Sequence, residues 1–332
     1  MITRILCLIF AATAAHAQVD VNLLARLMTK YKSERKAFEF ALVGDHPYGA
    51  EGERKWPAMM NSINRSAAEF VTHNGDFKNG SSVCSNQVFE DRLQKFEASE
   101  KPFIYTPGDN DWTDCHRANN GSYDPLERLD LLRRMFYRDN FSQGRRKIEV
   151  VRQSEDPRFT KFRENAIWAH GSVVFATLHV VGSNNNLLRN AENDAEYRER
   201  NFANLYWLRT IFALARDGDF DGVCITMQAD MEWYTAPTAL QRLGFNDTIN
   251  VMAQEAAVYR KPIIISTGDT HQLLIDKPLV GLRSNRRIEN FTRIQNFSDL
   301  DSHWLKVKVD PALSSLFVIE PVIVPENVFA AH

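Results

Sequence analysis

The chain has 332 residues, 44% of them hydrophobic and 25% charged, the ordinary mixture of a soluble globular protein, which excludes disorder, collagen and coiled coil. A formal net charge of −2 provides no global field to draw nucleic acid or an anionic membrane. Four cysteines are too few to build a disulfide mini-fold, and a chain this long buries enough surface not to need one.

Residues 1–17 read MITRILCLIFAATAAHA. Arg4, a short apolar run from Ile5 to Ala14 and the small-x-small triplet Ala15-His16-Ala17 predict a cleavable leader and a mature chain from near Gln18. The expected location is secreted or periplasmic, with no transmembrane span, since no later run reaches about 18 apolar residues. Losing Arg4 and no acid takes the charge from −2 to −3. Of the three remaining cysteines, Cys84 and Cys115 stand in polar, loop-like surroundings and are the expected disulfide pair. Cys224, inside the apolar run GVCITM, is expected to be a buried free thiol.

Past the leader, short apolar runs alternate with amphipathic stretches. Helices are predicted over 21–31, 57–67 (with Pro57 in the first turn), 87–98, 125–137, 195–216 and 247–259, each with apolar residues three and four apart. Strands are predicted over 38–44, 69–73, 102–106, 172–181, 221–227 and 262–267, several apolar on both faces, as suits a sheet covered by helices. Two more, 304–309 and 315–320, come late and without helices, suggesting a second or extended sheet. No Pro/Gly/Ser-rich linker divides the chain, so 18–332 reads as one α/β domain.

The polar residues that follow the strands carry the functional reading. They are Gly44-Asp45-His46-Pro47-Tyr48, Asn74-Gly75-Asp76-Phe77-Lys78-Asn79, Pro107-Gly108-Asp109-Asn110-Asp111, Gln228-Ala229-Asp230 and Gly268-Asp269-Thr270-His271. In α/β sheets ligands sit beyond the carboxyl ends of strands, and glycine there allows tight turns and close backbone approach. The set is rich in oxygen donors with one secure histidine, which suits hard or borderline divalent ions rather than a closed zinc site. There is no Walker A loop, nucleophile elbow or Rossmann glycine pattern.

In content and order these blocks resemble the calcineurin-like metallophosphoesterases, which include the purple acid phosphatases; the version here, with GDHPYG, GDNDWTDCHR, GSNNN and GDTH, resembles a secreted bacterial-type subgroup. The resemblance implies a four-layer sandwich, two mixed β-sheets flanked by helices. It also implies phosphate mono- or diester hydrolysis by a metal-bound hydroxide, and two divalent ions drawn from Mn, Mg, Fe or Zn. Carried over by position, it makes Asp45 a ligand of the first metal, Asp76 the bridge and Asn110 an amide ligand of the second. Asn79 falls where some members carry Asp or Tyr. Pro47 stands where a D-x-H histidine is expected. Gln228 and Asp269 replace histidine ligands, His271 keeps one, and Asp111 replaces the histidine beside the leaving group.

Asp111 or His46 would then protonate the leaving group, with His46 open to the alternative of a plain turn histidine. Asn110, Arg117 and His116 would hold the phosphate, the latter two being equally readable as a solvated pair. Tyr48 either reaches the site or packs. His73 and His179 read as core histidines, and Asn184-Asn185-Asn186 as substrate-binding amides or, more readily, a left-handed turn. Arg145-Arg146-Lys147 and Arg286-Arg287 read as solvated charged faces. The expected partner is a small phosphate ester, with no nucleic-acid surface. Two rivals remain at this stage: a weakly active or inactive metal- and phosphate-binding module, supported by the missing histidines, and a surface protein that uses only the fold.

Overall fold

The computed structural model describes residues 20–297 and 299–328; the predicted leader, residues 1–17, lies outside them. Period-two alternation sorts the apolar residues between layers. In β1 (Phe38–Val43), Phe38, Phe40 and Leu42 pack to one side and Ala41 and Val43 to the other. Beside it lie β2 (Ala68–His73) and β3 (Phe103–Tyr105), both parallel to β1. A second sheet takes β4 (Val151–Arg152), β5 (Ala166–His170), β6 (Val173–Thr177), β7 (Gly222–Thr226), β8 (Ile263–Thr267), β9 (Leu274–Asp276) and β10 (Phe291–Gln295) in the order β4-β5-β6-β7-β8-β10-β9. Within it β6, β7, β8 and β10 are parallel, and β4, β5 and β9 antiparallel. The late strands β11 (Trp304–Val309) and β12 (Phe317–Val322) extend the first sheet to β12-β11-β1-β2-β3, both antiparallel to their neighbours.

The helices α1 (Val21–Lys30), α2 (Gly49–Arg65), α3 (Asn86–Glu97), α4 (Pro125–Phe136), α5 (Ala191–Asp217) and α6 (Asn246–Tyr259) form the outer layers. Side-chain caps start several of them: Asp20 accepts from the N–H groups of Asn22 and Leu23, Ser85 from Val88, and Asp124 from Leu126 with Pro125 next. Met59 and Ile63 of α2, Phe89 and Phe96 of α3 and Leu132 and Phe136 of α4 cover the first sheet. Leu27 of α1, Trp207 and Ile211 of α5 and Met252 of α6 cover the second. Between the sheets, Phe70 stacks on Phe40 at 5.3 Å and meets Phe175 edge-on at 5.1 Å. The architecture is therefore helix, sheet, sheet, helix, with both sheets mixed.

The clearest differences from the sequence reading are two boundaries and a set of added strands. Helix α2 starts at Gly49 rather than Pro57, because Trp56 adds to its buried stripe. Pro57 accordingly lies inside the helix, where the carbonyl of Glu53 loses its helical donor. The run 172–181 leaves the ladder after Thr177, and Leu178, Val180 and Val181 carry the chain, still buried, toward Gly182. Strands β4, β5, β9 and β10 lie outside the predicted runs; β10 contains Arg293, whose charge breaks the apolar run.

Cys84, after β2, and Cys115, after β3, form a disulfide across a separation of 31 residues, and Cys224 is free and buried. Replacing both bridged cysteines with serine is expected to lower stability by about 3–4 kcal/mol, the chain-entropy value for a loop of that size. Urea unfolding of oxidised parent and variant checks this; equal midpoints would contradict it.

Candidate metal centre

The carboxyl ends of β1, β2 and β3 in one sheet and of β7 and β8 in the other face a common space, so five separate loops meet there. Asp45, Asp76 and Asp269 have left-handed backbones, with φ of 55°, 57° and 78°, a conformation Asp tolerates better than most residues. Gly108 has to be glycine: a Cβ there would stand 2.0 Å from Asp76 Oδ1. At Gly182 a Cβ would lie 2.7 Å from Asp269 Oδ1 and 2.8 Å from Asp109 Oδ2, so this backbone passes between two carboxylates.

Asp76 accepts from the Asn110 N–H at Oδ1 (3.0 Å), and at Oδ2 from Asn110 Nδ2 (2.9 Å) and Gln228 Nε2 (3.1 Å). Gln228 Nε2 also donates to Asp109 Oδ1 at 3.0 Å. Its orientation is imposed by the Gly182 N–H, which donates to Gln228 Oε1 at 2.6 Å. The carboxamide thus meets the two carboxylates with its hydrogens. Tyr48 donates to Asp45 Oδ1 at 3.4 Å and accepts from Asn110 Nδ2 at 3.1 Å. His271 places Nε2 3.6 Å from Asp45 Oδ1 and Nδ1 3.4 Å from Asp299 Oδ1.

A left-handed turn completes the wall. Ser183, Asn184, Asn185 and Asn186 all have positive φ, a run that costs each residue about 1–2 kcal/mol. It is held by Gly244, whose N–H donates to Asn184 and whose carbonyl accepts from Asn185, and by Arg200, which donates to Asn185. The turn aims Ser183 Oγ at Asp109 Oδ2, 2.7 Å away.

Four strand-end carboxylates, those of Asp45, Asp76, Asp109 and Asp269, therefore share one space. No lysine or arginine among the described residues makes an ion pair with any of them. Burial first, with the neighbouring Asp109 adding to it, pushes Asp45 up to about 8. Burial and then Asp109 push Asp76 and Asp269 well above the carboxylate range. Asp114, ion-paired to Arg117 at 2.8 Å, is pushed up to about 7 by burial and Asp109. Asp45 Oδ2 is buried without a hydrogen-bond partner. In donor type the set fits hard divalent cations. Among the described residues, no three His, Cys, Asp or Glu side chains form a preassembled metal centre; the amides of Gln228 and Asn110 stand between the carboxylates.

Several expected residues lie elsewhere or do something else. Asp111 is fully buried beneath the cluster, with Oδ2 accepting from Tyr105 Oη (2.6 Å) and the N–H groups of Gly108 (2.7 Å) and Asp76 (3.0 Å), and Oδ1 from Phe77 N–H (2.9 Å). With both oxygens so engaged it anchors two loops and does not face a leaving group. His46 is buried, and burial pushes it down to about 3, so its imidazole is neutral rather than cationic near neutral pH. The Asn79 carboxamide points into its own turn, accepting from Ser81 and Ser82. His116 is exposed, and Arg117 and Asn110 both stand close to the Gly80 position. His73 is a core histidine that joins loops, its Nε2 3.0 Å from the His46 carbonyl and its Nδ1 accepting from Gly75 N–H. Sequence reasoning missed Asp109, although it stands in the same Gly-Asp pattern as Asp45, Asp76 and Asp269, and it missed Ser183 and Asp114. A surface groove of about 550 Å³ between α4 and α5 shares no residue with the cluster.

No family model and no curated protein matches the sequence at a significant level. Solved structures do match in fold. PhoD aligns with 10% identity and a TM-score of 0.52 over 84% of this chain. The purple acid phosphatase PPD1 from yellow lupin (Lupinus luteus) seeds aligns with 10% identity and a TM-score of 0.52 over 90%. The chain spans 65% of the length of the first and 54% of the second. Vacuolar Protein Sorting 29 from Cryptosporidium parvum also aligns, at 10% identity and a TM-score of 0.30 over 86% of this chain and 97% of that one. The two-sheet architecture is thus shared with PhoD and a purple acid phosphatase, both built on the calcineurin-like metallophosphoesterase fold.

The crowded carboxylates make a prediction about pH. Above pH 7 the buried His46, His73 and His179, pushed down to about 3, 4 and 4 by burial, are neutral, as are most unfolded histidines. Asp45 and Asp114 hold protons in the folded state that the unfolded chain has already lost, so stability falls as pH rises. Metal-free protein is expected to melt at lower temperature at pH 8.5 than at pH 7, and added Mn²⁺ should raise the melting temperature more at the higher pH. A metal-free melting temperature that is flat or rises over this interval would contradict the electrostatic account.

Proposed function

We propose that the chain is an exported, metal-dependent phosphoesterase acting on phosphate mono- or diesters. The observation that carries this reading is the convergence of Asp45, Asp76, Asp109 and Asp269 at the facing edges of two sheets, with no lysine or arginine among the described residues ion-paired to any of them. The fold shared with two phosphatases supports the reaction class, and the leader pattern and the disulfide support export. Those four carboxylates, with His271, would hold divalent ions, two by the resemblance, while Asn110, expected as an amide ligand, turns its Nδ2 to Asp76 and Tyr48. When bound, such ions supply the positive charge that activates water and offsets a phosphoryl group.

The chain's own groups divide the remaining work. Arg117, half-exposed and steadied by Asp114, presents a planar guanidinium beside Asn110 and would grip phosphoryl oxygens. Tyr48 orients Asp45 and Asn110. Gln228 orients Asp76 and Asp109 by donation and is a positioning residue in this reading, in place of the ligand its position implies. A second reading, a metal- and phosphate-binding module without turnover, is favoured by one observation: the carboxamide of Gln228 meets Asp76 and Asp109 with N–H rather than oxygen.

Hydrolysis of an aryl phosphate and an aryl phosphodiester with Mn²⁺, Mg²⁺, Fe²⁺ or Zn²⁺ added separates the two. Turnover that depends on metal is expected. Asp76→Asn should abolish it and weaken metal binding by about tenfold or more, whereas Arg117→Ala should raise KM about tenfold to a hundredfold and leave metal affinity intact. Metal binding without turnover selects the second reading, and absence of both removes the two together.

A further inference from the structure

The β8–β9 loop that carries Asp269 and His271 runs directly into a surface that the catalytic reading does not use. Strand β9 is the outermost strand of its sheet, and Leu274 and Ile275 on it are exposed (37% and 45%). An open edge bearing large apolar residues is a feature that sheets ordinarily avoid. Next comes a hairpin. Its base is fixed by Leu279, buried in the core, by Ile288, packed against it, and by the Ile288 N–H donating to the Leu279 carbonyl at 2.9 Å. Val280 pairs with Arg287 and the Gly281 N–H donates to the Arg286 carbonyl at 2.8 Å, which closes the tip.

The tip is apolar and basic at once. Val280 and Leu282 are exposed (44% and 53%), and residues 282–287 read LRSNRR, with three arginines and no acid. All six of these residues are exposed. Arg283, Arg286 and Arg287 make no ion pair among the described residues. Asp276, the carboxylate of the adjoining strand, is already held by Arg293 at 2.7 Å. The contrast with residues 145–147 is instructive, since there Lys147 pairs with Glu97 and Arg146 donates to a backbone carbonyl. Exposed apolar side chains interleaved with unpaired arginines on a projecting turn suit a plane with an anionic face and an apolar interior. A protein partner would more naturally be met by a groove.

We propose that the 280–287 hairpin, with the β9 edge beside it, docks the protein on an anionic phospholipid bilayer. The attraction is local, so it does not depend on the chain's net charge. This inference does not rest on catalysis, and its test does not use it.

Co-sedimentation with vesicles of phosphatidylcholine alone, and of phosphatidylcholine mixed with phosphatidylglycerol, reads it directly. Binding is expected to the mixed vesicles only, and to weaken as salt is added. The triple variant Arg283→Glu, Arg286→Glu, Arg287→Glu should lose about a hundredfold or more in vesicle affinity. Val280→Asp with Leu282→Asp should lose about tenfold or more while salt dependence persists. Unchanged melting temperatures would show that both variants fold. No binding by the parent to either vesicle overturns the proposal, and so does equal binding by parent and variants. Self-association of the parent that both variants abolish, with no vesicle binding, would assign the surface to a second copy of the chain instead.

Discussion

Like charges brought close in a buried space repel, and this fold brings four carboxylates together where burial removes the water that would screen them. The strand ends of two sheets carry Asp45, Asp76, Asp109 and Asp269 into one space, and burial with mutual repulsion pushes Asp45, Asp76 and Asp269 toward protonation. Such an arrangement opposes folding unless protons or cations relieve it. A core site that served only stability would pair such carboxylates directly with arginine or lysine, as the buried Arg133–Glu164 pair does elsewhere in this chain.

Much of the surrounding structure is explained as support for that arrangement. Asp111 gathers three backbone N–H groups and the Tyr105 hydroxyl beneath the cluster, fixing the loops after β2 and β3 to each other. The Cys84–Cys115 bridge fixes the same two loops from outside. Gln228 and Asn110 turn amide hydrogens toward the carboxylates and so supply partial positive charge without a formal cation. The left-handed run from Ser183 to Asn186 is strained, and it persists because Gly244 and Arg200 hold it from behind. Its product is a serine hydroxyl against Asp109 and a glycine backbone between Asp109 and Asp269.

The layer architecture and most of the cluster were legible in the sequence for a local reason. Asp45, Asp76, Asp269 and His271 each follow an apolar strand, near a glycine, and strand ends are where α/β folds place ligands. What was not legible depends on burial or on distant partners. Nothing in the segment GDND says that Asp109 faces the space while Asp111 turns beneath it, so the proton donor expected at Asp111 became an anchor. His46 looked available beside Asp45 and is sealed inside. Strand β10 was hidden because buried Arg293 is tolerable only through Asp276 and Asp230, which come from other segments. Ser183 reaches the site through a turn whose geometry is set by Gly244 and Arg200, both remote in sequence.

The central claim, that the four carboxylates exist to hold divalent cations, is tested most directly by diffraction from crystals grown with Mn²⁺. Anomalous difference maps would then locate manganese without reference to activity. The account expects one or more strong peaks among Asp45, Asp76, Asp109 and Asp269. Empty density there, with the carboxylates hydrogen-bonded to one another and to Gln228 as protonated groups, would contradict it.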